Sequence, residues 1–135
     1  MLTPFDTAFS IAAVRDDERL LPVKERLFDD PYAGLFRAAG AHAEEGTKRF
    51  LALPFFKDGI RLRTRFIDDV LGKALEDGID QIVLLGAGFD ARAFRIPAII
   101  ARRARVYEID LVEQSLTGKT LRRVTAREPV TGGVR

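Results

Sequence analysis

The stretch QIVLLGAGFD, residues 81–90, decides the fold class of this chain of 135 residues. It opens with a short and almost continuous apolar run, the pattern of a parallel strand that is buried on both faces. A glycine turn, Gly86-Ala87-Gly88, follows at once. Residues 90–103 then have a helical pattern that Pro97 interrupts, and residues 106–110 predict a second strand. This order predicts the first β-α-β unit of a doubly wound, Rossmann-like α/β fold.

The residues before this unit predict a helical cap. An amphipathic pattern covers residues 5–19. Asp30-Pro31 predicts a helix start, because the carboxylate can cap free amides and proline fits the first helical position. The clearest helix runs from Gly59 to Glu76. In the helix that starts at Asp30-Pro31, three apolar residues are expected to point inward: Leu35, Phe36 and Ala39. The helix from Gly59 to Glu76 has an apolar residue at every fourth position: Leu62, Phe66, Val70 and Ala74.

The predicted domain organisation has three parts. Residues 1–78 form the helical cap, residues 79–127 the amino-terminal half of a cofactor-binding domain, and residues 128–135 a disordered tail. Within the second part, Leu111 to Arg127 are expected to begin the helix after the second strand. Only two strands are expected, whereas sheets average about five or six strands, so the domain is expected to be incomplete.

Composition and charge exclude several classes of function. The chain has no cysteine, which excludes a disulfide framework, a thiolate metal site and a cysteine nucleophile. Its single histidine, His42, argues against a histidine zinc site and a Ser-His-Asp triad. The 22 Lys and Arg residues are interleaved with 20 Asp and Glu residues, which argues against nucleic-acid binding. No membrane-length apolar run and no secretory signal are visible, so a cytoplasmic protein is expected.

The glycine turn and the end of the second strand together predict a nucleotide-type site. Glycines let the backbone turn sharply and let a ligand approach closely. Asp110 lies 22 residues after Gly88, close to the usual spacing of about 20 for an acid that accepts hydrogen bonds from ribose hydroxyls. Glu108 would point to the same side of the strand and is the substitute candidate. The alternative to a ligand site is a purely structural role. The glycines would then form an ordinary tight connection between strand and helix, and Asp110 would cap the next helix.

Two cofactors fit this pattern, NAD(P) and S-adenosylmethionine. Residues 86–91 satisfy the looser dinucleotide motif, with Ala91 at the third glycine position. Asp90, however, places a carboxylate in the loop, which is unfavourable beside a pyrophosphate and harmless beside an amino group and a sulfonium. The electrostatic argument therefore favours S-adenosylmethionine.

The longer segment QIVLLGAGFDARAFR, residues 81–95, resembles the cofactor loop of the leucine carboxyl methyltransferase-like family, which includes many bacterial O-methyltransferases. Further motifs agree in order and spacing, and the resemblance covers about residues 5–121. These motifs are Thr7-Ala8, Asp30-Pro31-Tyr32-Ala33, Arg63-Thr64-Arg65-Phe66-Ile67-Asp68-Asp69 and Tyr107-Glu108-Ile109-Asp110-Leu111.

The resemblance implies roles for individual residues. Gly86, Ala87 and Gly88 would cradle the methionine and adenosine of S-adenosylmethionine, and Asp110 would bind the ribose. Arg63 would pair with the carboxylate of the cofactor, as suits a bidentate guanidinium; the substitutes are Arg65, Arg61 and Arg15. The implied reaction is in-line transfer of the methyl group to a carboxylate or hydroxyl oxygen of a small molecule. Such a reaction depends mainly on positioning, so no catalytic side chain is assigned.

Family members are much longer than this chain, so the resemblance implies an amino-terminal part, cut short by a premature stop, a frameshift or the choice of boundaries. Such a part is expected to bind the cofactor weakly and to transfer little or no methyl alone. A further alternative is a non-catalytic remnant that associates with itself through the unfinished edge of its sheet.

Overall fold

A computed structural model describes residues 4–39, 48–49, 51–110 and 121–124 of the chain. Their contacts divide the protein into two compact units, Met1–Val70 and Leu71–Arg135, and each unit is described here by itself. The functional domain boundaries expected from the sequence, at residues 78 and 127, remain predictions.

The described part of the chain contains helices and one small sheet. The helices are α1 (Pro4–Asp17), α2 (Ala33–Ala39), α3 (Phe56–Glu76), α4 (Arg92–Arg95) and α5 (Pro97–Arg102), and the strands are β1 (Gln81–Leu85), β2 (Arg105–Ile109) and β3 (Leu121–Val124). The predicted helices at residues 5–19 and 59–76 are confirmed, as is the helical region that Pro97 interrupts. None of the described helices is long and apolar enough to cross a membrane.

The first unit is organised around the start of α2. The carboxylate of Asp30 accepts hydrogen bonds from the backbone N–H groups of Tyr32 and Ala33, each at 3.1 Å. Its other oxygen lies 3.3 Å from Nε of Arg15, and both side chains are buried. The predicted capping role of Asp30 is confirmed. The same carboxylate also provides the negative charge that a buried arginine requires.

A second buried carboxylate, Glu18, anchors α3 within the first unit. It is fully buried and accepts hydrogen bonds from the backbone N–H of Leu27 at 2.7 Å and from Nε of Arg61 at 2.6 Å. The hydrogen bond that Arg61 donates to Glu18 is the main cause that raises the pKa of Arg61 above its ordinary value. The ion pair therefore joins the turn that follows α1 to the first half of α3.

The second unit contains the predicted β-α-β arrangement. Strands β1 and β2 pair in parallel from Gln81 opposite Arg105 to Leu85 opposite Ile109, and α4 and α5 lie in the connection between them. One face of this pair is packed. Its core consists of Leu75, Ile82, Ala93, Ile99, Ala104 and Val106.

The other face of β1 is open. The side chains of Val83 and Leu85 are 55% and 77% exposed, although an almost continuous apolar strand is typical of burial on both faces. The expectation of a strand covered on both sides is therefore wrong for this chain as described.

The sheet has a third strand that the sequence did not predict. Residues 121–124 pair antiparallel with β2, from Ile109 opposite Leu121 to Val106 opposite Val124. The expected helix over 111–127 is wrong at these four residues, because the free backbone groups of β2 offer a partner that local sequence does not show. The rest of that predicted helix and the predicted tail at 128–135 lie outside the described residues.

Two predicted apolar faces are more exposed than expected. Leu35 of α2 is exposed and Phe36 is half-buried, whereas the side chain of Ala39 lies outside the described residues. On α3, the stripe of Leu62, Phe66 and Val70 is exposed, while Ile60, Thr64 and Leu75 are buried. The buried face of α3 is thus the one beside the Arg61–Glu18 ion pair, and the four-residue repeat lies largely outside it.

Two helices in the second unit end with the same hydrogen-bond pattern. At the end of α3, Gly78 N–H donates to Leu75 C=O at 3.1 Å and Ile79 N–H donates to Ala74 C=O at 3.0 Å. At the end of α5, the corresponding turn places Arg103 at φ 54°. Glycine suits this left-handed position, and a side chain there is strained.

We expect Arg103→Gly to stabilise the second unit by about 0.5–1 kcal/mol, because removing the side chain relieves the left-handed strain at the end of α5. The measurement is urea unfolding followed by circular dichroism. Gly78→Ala is the matched control and should lose about 1 kcal/mol, since it introduces a side chain at φ 96°. A loss of stability in Arg103→Gly would show that the arginine side chain makes a contact that outweighs its strain.

We expect Arg61→Ala to destabilise the first unit by about 2–4 kcal/mol, because it leaves the buried carboxylate of Glu18 without its positively charged partner. Arg63→Ala is the matched control on the same helix. Since Arg63 is exposed, that variant should stay within about 0.5 kcal/mol of wild type. Thermal unfolding of both variants measures the difference, and equal midpoints would contradict a structural role for Arg61.

Candidate functional site

The glycine loop between β1 and α4 turns through two left-handed residues. Gly86 has φ 61° and Gly88 has φ 51°. A Cβ atom built on Gly86 would meet nothing within 4 Å, so glycine is needed there for its backbone angle and not for lack of space. The loop directly follows the carboxyl end of β1, and parallel α/β sheets bind ligands at this end of their strands.

Three successive amides of this loop are bonded to the end of β2. Gly86 N–H and Ala87 N–H both donate to the Ile109 carbonyl, at 2.8 and 3.4 Å. Gly88 N–H donates to Oδ2 of Asp110. The structure thus brings together four of the predicted site residues, Gly86, Ala87, Gly88 and Asp110. It does so through the backbone of the loop and the acid at the strand end.

Glu108, the substitute acid, lies in β2 two residues before Asp110. It is half-buried and stands opposite Leu84 of β1 and Arg122 of β3. Alternation along the strand places it on the same side as Val106, whose side chain belongs to the core. Of the two acids, Asp110 is the one bonded to the glycine loop.

The negative charge of Asp90, at the end of the loop, is balanced by an ion pair within the protein. Its Oδ1 accepts a hydrogen bond from the backbone N–H of Arg92 at 2.8 Å, and its Oδ2 forms an ion pair with the guanidinium of the same residue. Both side chains are about nine-tenths buried. The electrostatic argument against a pyrophosphate is weaker than the sequence indicated, because the charge of Asp90 is balanced by Arg92.

The four candidate arginines of the first unit have different surroundings. Arg61 binds Glu18, Arg15 binds Asp30, and Nε of Arg65 binds Asp69 while its Nη1 donates to the Leu27 carbonyl at 3.1 Å. Arg63 is exposed and has no hydrogen bond or ion pair with the described part of the chain. Arg63 is therefore the candidate whose charge is not already used to stabilise the fold.

Sequence reasoning missed two features of these units. The pairing of Arg61 with buried Glu18 had no local signal, because the two residues are 43 positions apart. The Asp90–Arg92 pair did have a signal, since an acid two residues before an arginine at a helix start can cap the helix and pair with the arginine. His42 lies outside the described residues. Within the described residues, no group of three or more His, Asp or Glu side chains could hold a metal ion.

The geometry of the loop determines which ligands it can bind. A phosphate site needs several free N–H groups that point at the ligand. Here three consecutive amides point instead at the end of β2. What this edge offers is carboxylate oxygen, which accepts hydrogen bonds from hydroxyl groups. These three amides are therefore committed to the end of β2, and the acceptor oxygens of Asp110 suit a ligand that presents hydroxyl groups.

Comparison with known proteins adds an independent finding. The model of the leucine carboxyl methyltransferase family matches residues 8–131 of the chain. A protein of Streptomyces coelicolor that is named, by inference, an S-adenosyl-L-methionine-dependent methyltransferase is 39% identical over 115 residues, which is 77% of this chain and 38% of that protein. A protein of Frankia alni with the same description is 43% identical over 114 residues, or 79% of this chain and 38% of the relative.

A third relative, from Mycobacteroides abscessus and with the same description, is 35% identical over 121 residues. This match includes 78% of the chain and 37% of the relative. The matches thus span less than two fifths of the length of each of these three relatives. The family match covers most of the chain and includes the glycine loop, β2 and the arginine-bearing helix α3, and on this evidence the chain belongs to the leucine carboxyl methyltransferase family.

Proposed function

We propose that the chain is the amino-terminal part of an S-adenosylmethionine-dependent O-methyltransferase with a Rossmann-like cofactor domain. The observation that carries this proposal is the bonding of the glycine loop to β2, with Asp110 at the point where the two meet. Family membership gives independent support, because relatives of this chain are named for the same cofactor.

Each proposed contact follows from the chemistry of the cofactor. The loop from Gly86 to Gly88 lacks side chains at two positions, so the methionine and adenosine parts can lie close to its backbone. Asp110 accepts hydrogen bonds from the ribose hydroxyls, with Glu108 as the substitute. Arg63 binds the cofactor carboxylate through a bidentate guanidinium. Its availability supports this choice over Arg61, Arg65 and Arg15.

NAD(P) is the less favoured cofactor for this loop. Its pyrophosphate could use the amides of Gly86, Ala87 and Gly88 only by breaking the hydrogen bonds that they donate to the end of β2. Breaking three hydrogen bonds to bind it would offset much of the gain in affinity. S-adenosylmethionine has no phosphate and leaves these bonds in place.

The proposed chemistry is displacement of the sulfonium by a carboxylate or hydroxyl oxygen of a small molecule. When bound, S-adenosylmethionine would supply an electrophilic methyl group and a thioether leaving group, since the electrons of the broken C–S bond would pass to sulfur. A carboxylate would accept the methyl group directly, and a hydroxyl would do so with loss of its proton to solvent. The contribution of this chain is to position the cofactor, through the loop, Asp110 and Arg63, so that the methyl group faces the acceptor. The acceptor site belongs to the longer protein, and a cytoplasmic location is proposed for it.

We expect the chain to bind S-adenosylmethionine weakly and NAD more weakly still, as measured by isothermal titration calorimetry. Asp110→Ala should abolish the remaining binding, because ribose loses its acceptor. Arg63→Ala should weaken binding about ten-fold, the effect of losing one charge-assisted contact. Arg102→Ala, an exposed arginine of α5, is the matched control and should bind like wild type. Tight NAD binding, or unchanged affinity in Asp110→Ala, would contradict the proposal.

We also propose that the isolated chain associates with itself through β1. Within the described sheet, β1 is hydrogen-bonded on one side only, and its open face presents Val83 and Leu85. A strand with a free edge and exposed apolar side chains can pair with another copy.

Light scattering should therefore show a mass that rises with concentration. Val83→Lys should reduce the rise, because a charged side chain disfavours pairing. Gln81→Lys changes an exposed residue on the same face of the strand and serves as the control for added charge. A monomeric mass at every concentration would refute self-association without bearing on the cofactor.

A further inference from the structure

Asp110 has a second interaction besides the one proposed for it with ribose. Its Oδ2 accepts the hydrogen bond from Gly88 N–H, while Gly86 and Ala87 are held by the carbonyl of Ile109. The first part of the loop is therefore fixed by backbone, whereas Gly88 is bonded to a side chain. That side chain is half-buried at the end of β2.

We propose that Asp110 is a positioning residue that holds the glycine loop in its binding conformation before the cofactor arrives. Two glycines among three residues give the free loop many backbone conformations. Fixing the loop in one conformation is therefore costly in conformational entropy. A hydrogen bond from an amide to a carboxylate is stronger than a neutral one, so this single contact can restrict Gly88 and the start of α4 beyond it.

This role is compatible with ribose binding, on which the inference rests in part. A carboxylate has about four acceptor directions, so accepting the Gly88 N–H is compatible with accepting hydrogen bonds from ribose hydroxyls. The loop that must pass close to the cofactor is then ordered by the same group that binds the ribose. Ordering the loop in advance lowers the cost of binding.

The inference is tested by amide hydrogen exchange, followed by NMR on the ¹⁵N-labelled chain without cofactor. In wild type, Gly88 N–H should be protected and its proton resonance should lie downfield, as expected for a bond to a charged acceptor. In Asp110→Ala, exchange at Gly88 should become about ten- to a hundred-fold faster. In Asp110→Asn, which keeps a neutral acceptor, the increase should be smaller and the resonance should move upfield.

The control variant is Asp80→Asn, at the opposite end of β1, where the carboxylate pairs with Arg105 at 3.0 Å. Gly88 should be unchanged in this variant. The amides of Ile82 and Val106 report whether the strands remain folded. If Asp110→Ala loses protection at these strand amides too, Asp110→Asn decides the result. Wild-type exchange and shift at Gly88 in the folded Asp110→Asn variant would overturn the inference.

A second measurement separates this inference from the proposed function. Titration of wild type with S-adenosylhomocysteine should shift the Gly88 resonance, because ribose and Gly88 share one carboxylate. If the cofactor causes no shift anywhere in the spectrum, the proposed function fails. The positioning role would still stand on the exchange data. If the cofactor shifts other loop residues and leaves Gly88 unchanged, the shared carboxylate is refuted.

Discussion

The site depends on one constraint: the end of β2 accepts three consecutive amides of the glycine loop. The Ile109 carbonyl and the Asp110 carboxylate together bind Gly86, Ala87 and Gly88. This bonding aligns the loop with the carboxyl ends of both parallel strands and directs its N–H groups into the protein. Such a loop does not present these three N–H groups to a ligand, as an anion-binding loop would. The three amides that donate to β2 are not available to a phosphate, and the charge of Asp90 is already balanced by Arg92.

The first unit likewise depends on carboxylates that accept hydrogen bonds, and there each carboxylate is also paired with an arginine. Glu18 and Asp30 are buried carboxylates, and each lies in an ion pair with an arginine and accepts a hydrogen bond from at least one backbone amide. A buried charge without such partners would cost several kcal/mol. Among the arginines of this unit, Arg61 and Arg15 are therefore committed to folding. Arg63, on the exposed side of the same helix as Arg61, can serve a ligand without weakening the unit.

Features that depend on residues close together in the sequence could be predicted, whereas features that depend on distant residues could not. Strands β1 and β2, the glycine turn, the start of α2 and the break at Pro97 follow from short patterns, because local backbone preferences and capping decide them. The β3 strand, at residues 121–124, and the exposed stripe of Leu62 and Phe66 do not. A strand partner and the buried face of a helix are set by distant residues, and a repeat of apolar positions shows only which face could be covered.

The sequence by itself determined the β-α-β order, the two left-handed glycines and the acid at the end of the second strand. Each of these depends on residue type and spacing within about 30 positions. Only the tertiary structure decided which acid touches the loop, where the loop amides point and which arginine remains available. These are matters of direction and partnership in space. A carboxylate or guanidinium has the same chemistry in any sequence, and its role depends on which group the fold places beside it.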